Sequence, residues 1–196
     1  MNSSPSESIP AVYFDQMYQR DPDPWKFETS EYEANKYAAT VGSLGSSYYR
    51  SGLEIGGSIG VLTKMLASRC DALLSIDVVE AAQKQAIERC QQLPHIRFEL
   101  MSVPDEYPDE MFDLIVLSDV GYYWCWDDLK KTREQIVNSL EPYGHLLLVH
   151  WLLTTPTHPL TGDDVHRSFL ECCPHQLSHL TALRTDQYRL DVLARV

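Results

Sequence analysis

Two carboxylates, Glu54 and Asp77, bracket a glycine-rich turn, and their spacing suggests what chemistry the chain could do. Glu54 belongs to Leu53-Glu54-Ile55-Gly56-Gly57-Ser58-Ile59-Gly60, and Asp77 ends Leu73-Leu74-Ser75-Ile76-Asp77. An apolar strand, a glycine turn opening a helix and a second apolar strand ending in an acid are how a doubly wound α/β fold begins a nucleotide site. A dinucleotide fingerprint would read Gly-x-Gly-x-x-Gly, but Val61 stands where its last glycine, counted from Gly56, belongs. The spacing is instead Glu-x-Gly-x-Ser-x-Gly, with a carboxylate two positions before the turn. That carboxylate is badly placed for a pyrophosphate and well placed for an ammonium group. A glycine turn alone could serve only tight packing; an acid on each side makes the pattern more specific.

The ligand that fits has a cationic amino acid tail, a ribose diol and no phosphate, which describes S-adenosyl-L-methionine. Asp77, at the end of the second strand, can accept from both ribose hydroxyls. Charge-assisted hydrogen bonds of this kind contribute roughly 1.5–3 kcal/mol each.

The elements that must position these residues follow from periodicity and turn chemistry. Aromatics at Tyr13, Phe14 and Tyr18 predict a short helix from Val12 to Arg20, and Asp21-Pro22-Asp23-Pro24-Trp25 forms a rigid elbow after it. Residues 30–43 predict a second helix bearing Tyr32, Lys36, Tyr37 and Val41, placed to act as a lid or to pack on the sheet edge. After the glycine turn, strands are expected at Ala72–Ile76, Ile96–Leu100, Phe112–Leu117 and His145–Trp151. Helices are expected at Val78–Leu93, at Asp128–Leu140 with Asp127 as N-cap, and from Thr161 to Phe169. Phe112–Leu117 is nearly continuous apolar β, as a central parallel strand buried on both faces requires. Gln176–Leu183 and Tyr188–Ala194 predict a terminal hairpin. The fold class is therefore α/β: a Rossmann-like, seven-stranded, mostly parallel sheet with a C-terminal antiparallel hairpin.

Composition bounds the rest. With 196 residues, 44% of them hydrophobic, one domain is expected: residues 1–45 as an N-terminal segment and helical lid, and 46–196 as the cofactor-binding body. A net charge of −12 argues against a nucleic-acid binder and suits a small cationic or amine partner. Residues 1–10 are polar and expected to fray, and they lack the features of a secretory signal. No apolar run approaches the roughly 20 residues needed to span a bilayer. The five cysteines form no Cys-x-x-Cys pair, which suits a reducing compartment, so a cytoplasmic location is expected. His175 and His179 are four apart with no acid beside them, and no metal site is expected.

Taken together, Asp-Pro-Trp at 23–25, Leu-Glu-Ile-Gly at 53–56, Ser-Ile-Gly at 58–60 and Phe-Asp-Leu-Ile-Val at 112–116 resemble the class I S-adenosylmethionine-dependent methyltransferases. Tyr122-Tyr123, Leu-x-Pro-x-Gly-His-Leu at 140–146 and Leu-Thr-Gly-Asp-Asp-Val-His at 160–166 make the chain similar to the NodS-like branch, over roughly residues 12–196. The resemblance implies a small-molecule methyltransferase, with an amine, such as that of a deacetylated amino sugar, as acceptor. It implies that Glu54, Gly56 and Gly60, with Gly57 and Ser58 of the same turn, surround the methionine moiety. Asp77 and Val78 would meet the ribose, and Ser102 and Val103 would flank adenine. Trp25 would close on the cofactor, and Asp119 would sit beside the methyl group. Three departures stand out. Ser102 replaces a frequent aspartate, Gly121 replaces a larger residue and could widen the acceptor pocket, and Tyr143 replaces a turn glycine.

Methyl transfer from a sulfonium needs mainly alignment and exclusion of water. Asp119 and His150, at the carboxyl ends of strands, are the candidates to bind or deprotonate the acceptor, although His150 could equally be a buried histidine satisfied by backbone. Tyr122, Tyr123, Trp124 and Trp126 read either as an aromatic wall beside a cation or as packing, and Tyr122, Tyr123 and Trp151 are candidate substrate contacts. His166 reads either as a substrate contact or as a helix-surface residue. Two other functions remain: a nicotinamide-dependent oxidoreductase, disfavoured by Val61 and Glu54, and a catalytically silent cofactor-binding subunit.

Overall fold

The computed structural model describes residues 7–196. Helices α1 (Ala11–Arg20) and α2 (Glu31–Gly42) precede β1 (Tyr49–Ile55), α3 (Val61–Leu66), β2 (Cys70–Asp77), α4 (Glu80–Arg89) and β3 (Ile96–Leu100). Then come β4 (Phe112–Ser118), a 3-10 turn at Gly121–Tyr123, α5 (Trp126–Ser139), β5 (Leu140–Trp151), α6 (Gly162–Leu170), β6 (Leu177–Arg184) and β7 (Tyr188–Arg195). The sheet order is β3-β2-β1-β4-β5-β7-β6, with β7 antiparallel to both neighbours. Strand order reverses between β1 and β4, so their carboxyl ends open a crevice where ligands bind in such sheets.

The apolar runs explain this arrangement. In β4, Leu114, Ile115, Val116 and Leu117 are all fully buried, because helices cover both faces of the sheet. Leu53, Leu74, Leu146 and Leu148 join one core layer, and Leu73, Leu147 and Val149 join the other. None of the cysteines is disulfide-bonded. No described helix is long and apolar enough to cross a membrane.

Several element boundaries differ from expectation. The helix expected from Val78 starts only at Glu80, because Asp77 Oδ1 accepts the Val79 N–H at 2.9 Å and holds the chain extended there. Helix α5 is capped at Cys125, not Asp127, and β5 begins directly at Leu140, five residues earlier than expected. Tyr143, in place of a turn glycine, takes φ 65° within this early stretch and is largely exposed. The expected fraying of residues 1–10 falls partly outside the described residues. Within them, Ile9 N–H donates to the Tyr123 carbonyl at 2.8 Å and Ser8 Oγ accepts the Cys125 N–H at 2.8 Å, so this end is tied to the loop after β4.

Gly121 corrects another expectation. It is buried and faces α6, not a pocket; an added Cβ would lie 2.7 Å from Val165 Cγ1 and 3.1 Å from His150 Nε2. Its small size therefore lets the 3-10 turn sit down on the core. Gly121→Ala is expected to destabilise the fold by about 1–3 kcal/mol through overpacking. Urea unfolding checks this; an unchanged midpoint would contradict it.

Candidate functional site

The crevice above β1 and β4 is a cavity of about 610 Å³, within the range of small-molecule sites. Its floor is the glycine turn. Gly56 and Gly57 donate their N–H groups to the Ile76 carbonyl at 2.9 and 3.1 Å, folding the turn across the end of β2. Gly56 has φ 86°, and a Cβ there would lie 2.1 Å from Val120 Cγ2. At Gly57 a Cβ would lie 2.0 Å from Ser75 Oγ. Only glycine lets this backbone pass so close.

Asp77 faces the cavity beside Val78. Its Oδ2 accepts the Ser58 N–H at 2.8 Å and its Oδ1 accepts the Val79 N–H at 2.9 Å. Each oxygen keeps a further lone pair. Ser58 is fixed as well, since its hydroxyl pairs with the Tyr18 hydroxyl from α1. Trp25 lies at 5.7 Å from Tyr18, ring centre to ring centre, and both line the cavity, as do Ser102 and Val103 after β3.

Two expected cofactor residues do not reach the wall. Gly60, at φ 79°, packs against α4, where a Cβ would lie 2.8 Å from Ala86. Glu54 is 1% exposed and sits behind Gly57. Its Oε2 accepts from Thr63 Oγ1 at 2.5 Å and from Ser75 Oγ at 2.8 Å, whereas Oε1 has no partner among the described residues. Burial raises the Glu54 carboxyl to about 7, against the pull of those two hydroxyls. A carboxyl raised on folding adds stability that is complete below its ordinary 4.5 and lost as pH rises through about 7. Glu54→Gln is therefore expected to gain on the wild type between pH 5 and pH 8 by about 3 kcal/mol. Thermal unfolding of the unliganded chain at both pH values checks this; an equal difference at both would contradict it.

The opposite wall holds a buried ionic cluster. Asp119, just beyond β4, adopts φ 53°, a conformation in which aspartate is several-fold enriched. Its Oδ1 accepts the Trp151 N–H at 2.8 Å and the Tyr122 hydroxyl at 3.2 Å, and its Oδ2 lies 2.5 Å from Lys36 Nζ. Lys36 also lies 2.8 Å from Glu33 Oε2 and stands over the rings of Tyr32 and Tyr37 at 5.2 and 5.7 Å. Burial opposes the Lys36 charge, but Asp119 and Glu33 outweigh it and hold the ammonium above its ordinary range. Lys36 itself is 1% exposed. Sequence reasoning placed Lys36 on the lid helix without its partner, because Asp119 is 83 positions away.

Tyr122, Tyr123, Trp124 and Trp151 line the cavity with Phe14 and Phe27, whereas Trp126 is partly buried and packs against the core. Tyr122 and Tyr123 meet edge to face at 4.7 Å, and His158 stacks on Tyr122 at 4.7 Å. His158 was not singled out from the sequence, since nothing marked one residue of a proline-bearing loop.

His150 and His166 do not face the cavity. Both are fully buried, and His166 is not on the helix surface. His150 Nε2 accepts the Gly121 N–H at 3.2 Å, and its Nδ1 meets His166 Nε2 at 3.1 Å. His166 Nδ1 reaches Asp191 Oδ2 at 2.5 Å, and Asp191 also accepts from Arg189 and His179. Burial, with His166 adding to it, holds His150 well below its ordinary value, so it is neutral. The accepting Nε2 puts the His150 proton on Nδ1, and the chain of bonds then runs one way to Asp191. It fixes the turn that carries Tyr122 and ends on a backbone amide, so it has no path to a ligand.

The acids on the cavity wall, Glu33, Asp77, Asp105, Asp119 and Asp128, outnumber its described basic residue, Lys36. The field inside therefore favours cations. No cluster of three potential metal ligands occurs among the described residues.

Residues 15–150 match the family described as Nodulation protein S (NodS). Nodulation protein S of Sinorhizobium fredii (strain NBRC 101917 / NGR234) is 30% identical over 129 residues, covering 64% of this chain and 59% of the relative. The Rhizobium tropici protein of the same name is 33% identical over 129 residues, covering 64% and 53%. The matched region thus spans little more than half the length of these relatives. Among solved structures, the N-methyltransferase NodS from Bradyrhizobium japonicum WM9, in complex with S-adenosyl-L-homocysteine, superposes with a TM-score of 0.84. That superposition is at 23% identity and covers 95% of this chain and 99% of that one.

Proposed function

Since the chain belongs to the NodS family, we propose that it transfers a methyl group from S-adenosyl-L-methionine to the amine nitrogen of a small molecule. The observation that carries this reading is Asp77, which faces the cavity with a spare lone pair on each oxygen, one oxygen already holding the Ser58 N–H of the bend and the other the Val79 N–H ahead of α4. That geometry suits a vicinal diol. The cofactor fits on two further counts. Gly56 and Gly57 line the cavity with backbone alone, against which a ligand can lie, and the unpartnered Glu54 Oε1 behind them favours a cationic tail.

The bound cofactor would supply an electrophilic methyl group on sulfur. In this reading Gly56, Gly57 and Ser58 hold its amino acid end, Asp77 and Val78 its ribose, and Ser102 and Val103 its adenine, with Trp25 closing over it. Glu54 acts through the turn rather than by contact. Of the expected lid segment, the described residues 7–45 close one side of the cavity, and the aromatic wall excludes water from the reaction. Asp119 orients the acceptor side: its oxygens already take Lys36, Tyr122 and the Trp151 amide. The acidic lining draws in an amine acceptor, and the chain's net charge of −12 disfavours nucleic acid. The free cysteines suit a reducing compartment, so in this reading the chain works in the cytoplasm.

The test is transfer of labelled methyl groups to a panel of amines, amino sugars and deacetylated glycans, with phenols and alcohols as controls. Labelled secondary amines are expected. Label on oxygen alone would contradict the amine reading, and cofactor binding without transfer to any acceptor would favour a silent binding subunit.

A further inference from the structure

We propose that His158 is the group that takes the proton from the acceptor amine. This inference rests on the methyltransferase reading above and adds a catalytic residue to it. Neither of the two residues expected from the sequence to deprotonate the acceptor is free to do so. His150 is sealed beneath the Gly121 amide, and Asp119 is committed to Lys36, Tyr122 and Trp151. An amine enters as an ammonium at neutral pH and must lose a proton before its nitrogen can attack, so the pocket needs an acceptor for it.

His158 has the required placement. It lies on the loop after β5, lines the cavity and is half-buried. Its ring stacks on Tyr122 at 4.7 Å with an interplanar angle of 5°, meets Tyr123 edge-on at 4.9 Å, and lies 6.4 Å from Trp151. The loop is held in place: His158 N–H donates to the Thr155 carbonyl, and Leu160 N–H donates to the Tyr122 carbonyl at 3.2 Å. Among the described residues, no hydrogen-bond partner meets either ring nitrogen, and no charged group packs on the ring. The titratable groups against it are the phenols of Tyr122 and Tyr123, which burial keeps protonated. Burial likewise lowers the His158 value, leaving a neutral imidazole ready to accept.

The step balances. A ring nitrogen of His158 takes one proton from the acceptor ammonium. The freed nitrogen lone pair forms the new C–N bond while the C–S bond breaks and its electron pair stays on sulfur. The proton on His158 then passes to solvent through the open side of the loop.

Two measurements on the full chain test this. Carbethoxylation with diethyl pyrocarbonate, mapped by peptide mass, is expected to modify His158 at least about tenfold faster than His150 or His166. His158→Gln and His158→Ala are expected to bind S-adenosylhomocysteine within about threefold of wild type and to unfold at the same temperature. Both should lose methyl transfer to glucosamine and to deacetylated chitotetraose by about 10²–10³-fold in kcat, together with the acid limb of the kcat/KM pH profile. A variant within threefold of wild-type kcat and with its acid limb intact would overturn the proposal. Should the wild type bind S-adenosylhomocysteine and methylate neither probe, labelling alone decides, and a His158 no faster than His150 overturns it. Failure of the wild type to bind S-adenosylhomocysteine at all would instead overturn the methyltransferase reading.

Discussion

Lys36→Met is expected to lower the stability of the chain by about 3–5 kcal/mol, because it strands two buried carboxylates without their cation. The Lys36 side chain is 1% exposed, and those of Glu33 and Asp119 are 10% and 16% exposed. Water therefore has little access to screen the charges left behind. Methionine keeps most of the apolar stem and removes the ammonium that stands over the Tyr32 and Tyr37 rings, so the loss would report the charge rather than a cavity. At about 2–4 °C per kcal/mol for a chain of this size, the melting temperature should drop by on the order of 10 °C. The double variant Lys36→Met with Asp119→Asn should recover part of that loss, since the stranded charge is removed with its partner. Calorimetric unfolding of wild type, both single variants and the double variant checks this. A Lys36→Met shift under 2 °C, or no coupling in the cycle, would show that the cluster contributes little.

Asp77→Ala is expected to weaken S-adenosylhomocysteine binding by at least about 100-fold. Two charge-assisted bonds to a diol at roughly 1.5–3 kcal/mol each exceed that factor, and the loss of the Ser58 anchor adds to it. The side chain of Asp77→Asn keeps one acceptor oxygen, so this variant should fall between the two. Because Asp77 also holds Val79 ahead of α4, melting of each unliganded variant must be measured alongside its affinity. Affinity within threefold of wild type in a folded Asp77→Ala variant would remove Asp77 from the ligand site.

Much of the fold was legible because local patterns carry it. Phe112–Leu117 could only be a strand buried on both faces, and the glycine turn between two acid-ended strands specified the sheet's switch point. Asp77 was legible for the same reason, since a strand's last residue points into the crevice. Glu54 was misplaced: its distance from the turn suggested a cavity wall, but Thr63 and Ser75 draw it behind Gly57. The ends of elements were blurred where a side chain or sheet pairing competes with the helix, as at Val79 and at Leu140 opposite Phe112. What could not be read were pairings across the chain. Lys36 finds Asp119 on another layer, and His150 finds His166 and Asp191. These partners come together only through tertiary packing, and no local spacing encodes them.

In the function proposed above, the cavity between the glycine turn and Asp119 takes an S-adenosyl ligand. Isothermal titration of the wild-type chain with S-adenosylhomocysteine and, separately, with NADH tests it directly. Saturable binding of S-adenosylhomocysteine, one per chain, and none of NADH is expected. Tight binding of NADH with no heat from S-adenosylhomocysteine would contradict it.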